Sequence, residues 1–217
     1  MSTHLEITDD IAVLTLGDDE NRFSPELLES VNGALDRIEA GEAQALVTTG
    51  SGKFYTNGLD LDWLAAHGDR ANWYLNQVHA LLARVLTAPV PTVAAVNGHA
   101  FGAGAMLGLA HDFRVMRSDR GFYCFPEADI QIPFTPGMAA LIQAKIPPNA
   151  AVEAMTTARR YGGQDAEAIG LVTATAPEGK VTAAAIDLVA ALKGKHAPTL
   201  KAIKSTMYNS VTAALHG

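Results

Sequence analysis

The sequence predicts an α/β fold with parallel strands, and three observations carry that reading. The runs Ala45–Thr49 and Thr92–Val96 consist of apolar and β-branched residues throughout, as strands covered on both faces do. Segments with helical spacing separate such runs, which suits β–α–β crossovers better than a chain of hairpins. Thr92–Val96 also leads through a glycine-punctuated turn at 97–104 into the Ala/Leu/Met-rich segment 105–110, a strand–turn–helix start.

The remaining elements follow in order. Leu5 and Ile7, then Ile11, Val13, Leu14 and Leu16, alternate with polar residues around Asp9 and Asp10, a β-hairpin with an acidic turn. The loop Asn21-Arg22-Phe23-Ser24-Pro25 opens a helix with Ser24 as N-cap and Pro25 in the first helical position. That helix carries Leu27, Leu28, Val31, Leu35 and Ile38 and stops at Gly41. Residues 50–58, GSGKFYTNG, read as a loop, 59–67 as a short helix, and 72–86 as an amphipathic helix ending before Pro89 and Pro91. A strand is expected at Phe113–Met116, helices at 136–144 and 150–158, and a short strand at 171–173. Two further helices, 180–192 and 199–215, complete the chain. Residues 1–150 therefore read as the core, and 151–217 as a mostly helical region packed outside it.

Composition narrows the function. A length of 217 residues with 48% hydrophobic and 18% charged residues is that of a globular chain with a sizeable core. A net charge of −7 excludes nucleic acid as the main partner, because phosphate binding needs concentrated positive charge. The single cysteine, Cys124, leaves no intramolecular disulfide and no multi-cysteine metal site, and fits a reducing compartment. The N-terminus lacks a signal-peptide pattern, no apolar run approaches the roughly 18 residues of a membrane span, and the ending Ala-Leu-His-Gly matches no retention or peroxisomal signal. The expected setting is cytoplasmic, with no membrane partner.

Two features point to chemistry. Backbone N–H groups at the Gly102-Ala103-Gly104 turn, just ahead of a helix, can meet developing negative charge; the bland alternative is a tight turn. Glu127 stands among Phe122, Tyr123, Phe125, Ile130, Ile132 and Phe134, company that would raise its pKa; the alternative is a solvated carboxylate at a turn. Asp129 is expected to face water. His99 and His111 read as structural, with no second histidine or carboxylate at metal-ligand spacing, so no metal site is expected. Cys124 reads as a small buried hydrophobe, Ser51 and Ser205 lack a nucleophile-elbow context, and Lys201 and Lys204 read as a solvated helix face or as phosphate ligands.

The run Ala94-Ala95-Val96-Asn97-Gly98-His99-Ala100-Phe101-Gly102-Ala103-Gly104, followed by Asp112-Phe113-Arg114, resembles the signature of the crotonase (enoyl-CoA hydratase/isomerase) superfamily. Gly52-Lys53-Phe54-Tyr55-Thr56-Asn57-Gly58-Leu59-Asp60-Leu61 is similar to that family's upstream loop, and Phe125-Pro126-Glu127-Ala128-Asp129-Ile130 to the motif bearing a catalytic glutamate. The C-terminal Ala197-Pro198-Thr199-Leu200-Lys201-Ala202-Ile203-Lys204 also fits, so the resemblance spans nearly the whole chain. It implies a spiral of ββα units with a helical C-terminal region that serves trimerisation and pocket closure. It also implies an acyl-CoA thioester substrate and a homotrimer or dimer of trimers. The implied catalytic groups are Glu127 and an oxyanion hole from the Asn57 and Ala103 amides. Thr56, Gly58, Leu59 and Asp60 would cradle the CoA adenine and pantetheine beside Gly102. Arg22 would lie near the CoA phosphates, with Lys204 assisting from the same or a neighbouring subunit. No cofactor is implied, since coenzyme A is part of the substrate.

One departure from the family pattern sharpens the reading. Hydratases of the family hold water between two glutamates, and Met106 stands where the first would be, with Leu107 and Gly108 offering no substitute. A thioether is a poor acceptor. One carboxylate suffices to move a proton from C2 to C4, so Δ3,Δ2-enoyl-CoA isomerisation is expected. The alternatives are a thioester hydrolase, a decarboxylase, a weak hydratase, or an acyl-CoA-binding protein without chemistry.

Overall fold

The structure, a computed structural model, describes residues 3–217. It opens with the expected hairpin, β1 (His4–Thr8) and β2 (Ile11–Thr15), turned at Asp9 and Asp10, which both take positive φ as a tight two-residue hairpin turn requires. Helix α1 (Pro25–Glu39) is capped by Ser24, whose Oγ accepts the Leu27 N–H at 3.2 Å. Next come β3 (Ala45–Thr49), β4 (Phe54–Thr56), α2 (Leu61–Ala66), a 3₁₀ turn at Gly68–Arg70 and α3 (Ala71–Leu86). The centre holds β5 (Thr92–Val96), β6 (His99–Phe101), α4 (Ala103–Ala110), β7 (Phe113–Arg117), β8 (Tyr123–Cys124) and the single-turn helix α5 (Glu127–Ile130). The chain ends with α6 (Pro136–Lys145), α7 (Pro148–Thr157), α8 (Gly163–Ala168), β9 (Ala174–Ala176), α9 (Val181–Ala190), α10 (Ala197–Met207) and α11 (Asn209–His216).

Two sheets share these strands. The larger runs β1-β2-β3-β5-β7-β9 and is parallel beyond the hairpin; the smaller, β4-β6-β8, is parallel throughout. Three times in succession the chain lays a strand in the large sheet, the next in the small sheet, and then turns helical: β3-β4-α2, β5-β6-α4 and β7-β8-α5. That is the spiral of ββα units, α/β as expected. Asn97 ties two successive turns of it together: its Oδ1 accepts the Gly50 N–H and its Nδ2 donates to the Gly52 carbonyl, each at 2.9 Å.

Both faces of the large sheet are covered, which is why its strands read as unbroken apolar runs. Leu46, Ala94 and Val96 join the main core with α1, α3 and α4. Ala45, Val47, Val93, Ala95 and Val115 pack on the other side against Val181, Ala185 and Val189 of α9.

Four expectations change. The loops at 50–58 and 97–104 contain β4 and β6, strands of three residues and too short to show a period of two. The strand expected at 171–173 lies at 174–176, where it pairs with β7, and the last helix breaks at Tyr208 into α10 and α11. The C-terminal third does not pack outside the core: β9 belongs to the large sheet, α9 covers it, and Val211 and Leu215 of α11 are buried against α3 and α6. Among the described residues no helix is long and apolar enough to cross a membrane.

Candidate active site

The small sheet assembles the site. Because β4 and β8 both pair in parallel with β6, the chain leaves all three strands at the same edge. Residues 57–59 follow β4, Gly102 and Ala103 follow β6, and Pro126 and Glu127 follow β8. These exits line one cavity of ≈310 Å³, completed by Arg22, Leu61, Asp62, Phe101, Ile130 and Ile132. Asn57, Leu59, Gly102, Ala103, Glu127 and Arg22, singled out in the sequence, are thus brought together.

At least two backbone amides at this cavity have no acceptor among the described residues, and one of them differs from expectation. Ala103 is the first residue of α4, so its N–H precedes the helical hydrogen-bond ladder, which begins with the Met106 N–H on the Gly102 carbonyl at 3.0 Å. The Asn57 amide, expected as its counterpart, instead donates to the Glu20 carbonyl at 2.8 Å and is unavailable. Two residues further along the same loop, the Leu59 amide donates to no described group, and Leu59 lines the cavity. Gly58 brings this loop onto α4: its φ is +80°, and a Cβ there would lie 2.9 Å from the Ala103 nitrogen and 2.6 Å from the Phe101 carbonyl. Only glycine permits that approach. The fully buried Thr56 fixes the bend, its Oγ1 donating to the Asn21 carbonyl at 2.7 Å and accepting the Gly58 N–H at 3.0 Å.

Glu127 opens α5 and is 9% exposed. Its Oε2 is buried with no hydrogen-bond partner, an arrangement that disfavours charge. Burial pushes its pKa up to about 7 from an ordinary 4.5. The other oxygen, Oε1, lies 3.3 Å from where a Cβ on Gly102 would stand, and Gly102 has φ +52°. Asp62, the second carboxylate lining the cavity, is an exposed surface group held by Arg22 Nη1 at 2.5 Å.

The other candidates fall into place around this pair of features. Arg22 also holds Glu20 through Nε at 2.5 Å, so its charge is offset by two carboxylates. It stands between this cavity and a neighbouring polar one of ≈500 Å³ that includes Glu20, Asn21 and Asp60. Asp60 is the N-cap of α2, accepting the Trp63 N–H at 3.1 Å. Lys204 lies apart from the cavity and is not a solvated residue: it is 4% exposed, with Nζ on Asp112 Oδ2 at 2.6 Å and on the Val90 carbonyl at 2.8 Å. Met106 is fully buried in α4 and does not line the cavity. His111 is structural, its ring bonded to Thr48 Oγ1 and the Leu107 carbonyl and its pKa pushed down to about 4 by burial. Burial pushes the Cys124 thiol up to about 11, and Asp129 is exposed. Leu61, Phe101 and Pro126 line the site without having been singled out, since apolar wall residues carry no signature in a sequence.

A ββα spiral whose short sheet delivers paired amides and a buried carboxylate to one cavity defines a crotonase-type protein. The family profile for enoyl-CoA hydratase/isomerase matches residues 6–216, and the chain belongs to that family, within the crotonase superfamily of enzymes. It is 38% identical over 180 residues to enoyl-CoA delta isomerase 3 of Arabidopsis thaliana, covering 79% of this chain and 76% of that protein. Enoyl-CoA delta isomerase 2 of the same plant, named as peroxisomal, is 36% identical over 183 residues, with the same coverage. Among solved structures, a probable enoyl-CoA hydratase from Mycobacterium tuberculosis H37Rv superposes with a TM-score of 0.91 at 25% identity, covering 98% of this chain and 91% of that one.

The burial of Glu127 predicts a pH-dependent stability difference. Unfolded, the carboxyl titrates near 4.5; folded, near 7, so the native state holds the extra proton between those values. Stability therefore falls as pH rises through that window and is unaffected below it. Glu127→Gln removes the penalty, and at about 1.4 kcal/mol per pKa unit it should be more stable than wild type by about 1–3 kcal/mol at pH 8. Urea denaturation should show that difference at pH 8 and none at pH 4; equal stabilities at pH 8 would mean the carboxylate is solvated.

Proposed function

We propose that the chain isomerises 3-enoyl-CoA thioesters to the conjugated 2-enoyl-CoA. The observation that carries this reading is Glu127: of the two carboxylates lining the cavity it alone has no cationic partner, and its pKa lies near neutrality. The thioester and the vinyl group together acidify C2. The Glu127 carboxylate takes a C2 proton, the electron pair moves into the dienolate, and the oxygen receives the Leu59 and Ala103 N–H groups. The carboxylic acid so formed returns the proton at C4, leaving the double bond between C2 and C3 and the enzyme unchanged. A pKa of about 7 serves both halves of this cycle, since the same group must accept and donate at neutral pH.

Hydration would need a second carboxylate to hold the water, and the position that carries one in the family's hydratases is Met106, buried away from the cavity. The reaction is redox-neutral and transfers one proton, so it calls for no metal and no redox cofactor. Arg22 is the cation at this cavity that could meet the CoA phosphates, which would have to displace Glu20 and Asp62 from it. We place the activity in the cytoplasm.

The test is conjugation of trans-3-hexenoyl-CoA followed by ultraviolet absorbance. Wild type should conjugate it, with kcat/KM rising to a plateau above pH about 7, and Glu127→Gln should lose about 10²–10⁴-fold. Release of free CoA or CO₂ without conjugation would assign a hydrolase or a decarboxylase instead, and binding without turnover a non-catalytic protein.

Ala103 gives a separate handle on the oxyanion. Proline is accommodated in the first turn of a helix but lacks the N–H, so Ala103→Pro should lower kcat by about 10²–10³ with little change in thermal midpoint. An unchanged kcat would remove this amide from the mechanism. The exposed Val152, Ile203 and Met207 are consistent with burial between subunits, and light scattering should give the mass of three or six chains; a monomer at micromolar concentration would contradict the trimer.

A further inference from the structure

We infer that the cavity beside Glu127 accepts acyl chains of up to about eight carbons, and that Phe101 is the wall that sets this limit. The inference rests on the acyl-CoA reading above and adds the substrate class. At roughly 30 Å³ per heavy atom, the share of one water in the liquid, ≈310 Å³ accommodates about ten heavy atoms. The thioester carbon, oxygen and sulfur with C2, C3 and C4 take six of them, so about four further carbons fit before the cavity is full.

Besides Glu127, the charged side chains at the cavity are Arg22 and Asp62; its larger apolar residues are Leu59, Leu61, Phe101, Pro126, Ile130 and Ile132. Leu59 and Pro126 flank the reacting groups themselves, Leu59 by its own amide and Pro126 as the neighbour of Glu127, while Leu61, Ile130 and Ile132 are 40%, 47% and 37% exposed and belong to the solvent side. Phe101 is held rigidly. Its backbone pairs with Cys124 in the small sheet, and its ring packs on His99 at 5.1 Å and edge-on to Phe54 at 6.4 Å. Two cations also lie over this cluster: the Arg160 guanidinium is 5.8 Å from the centre of the Phe101 ring and the Lys53 ammonium 5.4 Å from that of Phe54. A longer acyl chain would have to displace a packed ring, so the wall is steric.

The measurement is the dissociation constant of saturated acyl-CoAs from four to sixteen carbons, by titration calorimetry, for wild type, Phe101→Ala and Phe101→Trp. Saturated chains cannot react, so the result does not depend on which reaction the protein catalyses. For wild type, affinity should strengthen about fourfold per methylene while each added carbon is buried, then stop improving near eight carbons. Phe101→Ala should move that break to chains longer by about two carbons or more, and Phe101→Trp should move it to shorter ones. Circular dichroism confirms that each variant is folded, and the tryptophan variant answers the question should the alanine variant unfold. A break that stays in place in the folded variants, or a wild-type affinity that climbs steadily to sixteen carbons, overturns the inference. Failure of every acyl-CoA to bind would instead overturn the acyl-CoA reading itself.

Discussion

The parallel pairing of β4, β6 and β8 is the constraint on which the rest depends. Each strand is only two or three residues long, and none would be stable alone. They are held because each continues from a fully buried neighbourhood of the large sheet and because the first turn of α4 lies directly over their exits. α4 is apolar all round and buried at every position, so it acts as a wedge between the sheets rather than as an amphipathic cover. Hydrogen bonds lock the wedge in place: the Tyr123 hydroxyl of β8 donates to the Ala105 carbonyl, and His111 joins the end of α4 to Thr48 of β3. Move β6 by one residue relative to β4 and the Leu59 and Ala103 amides would no longer serve the same cavity.

Two carboxylates, one half-buried and one buried, meet opposite surroundings. Asp112 is surrounded by donors: the Thr92 N–H at 2.8 Å, the Thr92 hydroxyl at 3.2 Å and the Lys204 ammonium at 2.6 Å. It is a structural joint that fastens α10 to the start of β5, its Oδ2 meeting three donors at once. Glu127 has an oxygen with no donor at all. Such a group destabilises the fold, which is the trade between stability and activity expected of a carboxylate with the task proposed for it. The absence of a cation beside Glu127 matters as much as its burial, since a partner like Lys204 would hold the carboxyl ionised and unable to return a proton.

Much of this was legible in the sequence, for reasons that can be named. Covered strands such as Thr92–Val96 announce themselves by composition, and Ser24-Pro25 by cap chemistry, so the large sheet and α1 fall where expected. Glu127 was legible because a carboxylate amid aromatic and aliphatic residues is unusual wherever it falls in a fold. The small sheet was not legible: a strand of three residues has no period to detect, and its pairing partners lie dozens of residues away. Lys204 was misread for a related reason. On a helix with Lys201 and exposed neighbours it looks solvated, and only the tertiary position of Asp112 shows that it is buried. Asn57 was misassigned because a motif locates a loop, whereas which amide in that loop is free depends on where the Glu20 carbonyl lies.

That last point bears on how the site works. In the loop after β4 the available amides compete for acceptors, and the fold satisfies Asn57 with the Glu20 backbone and Gly58 with the Thr56 hydroxyl. Leu59 is left over, next to a glycine that presses the loop onto the equally unpartnered Ala103. Unpaired donors beside an unpaired acceptor are costly in a protein without a ligand, and here the Leu59 and Ala103 amides and the Glu127 Oε2 meet at one cavity. In the proposed isomerisation they would meet an oxygen gaining negative charge and a carbon-bound proton to surrender. On that proposal the dienolate is favoured over the neutral thioester, because the amides strengthen as the oxygen charges and the carboxyl becomes neutral in an apolar wall as it takes the proton. Both changes would lower the energy of the same state, and through that coupling a single carboxylate would be enough.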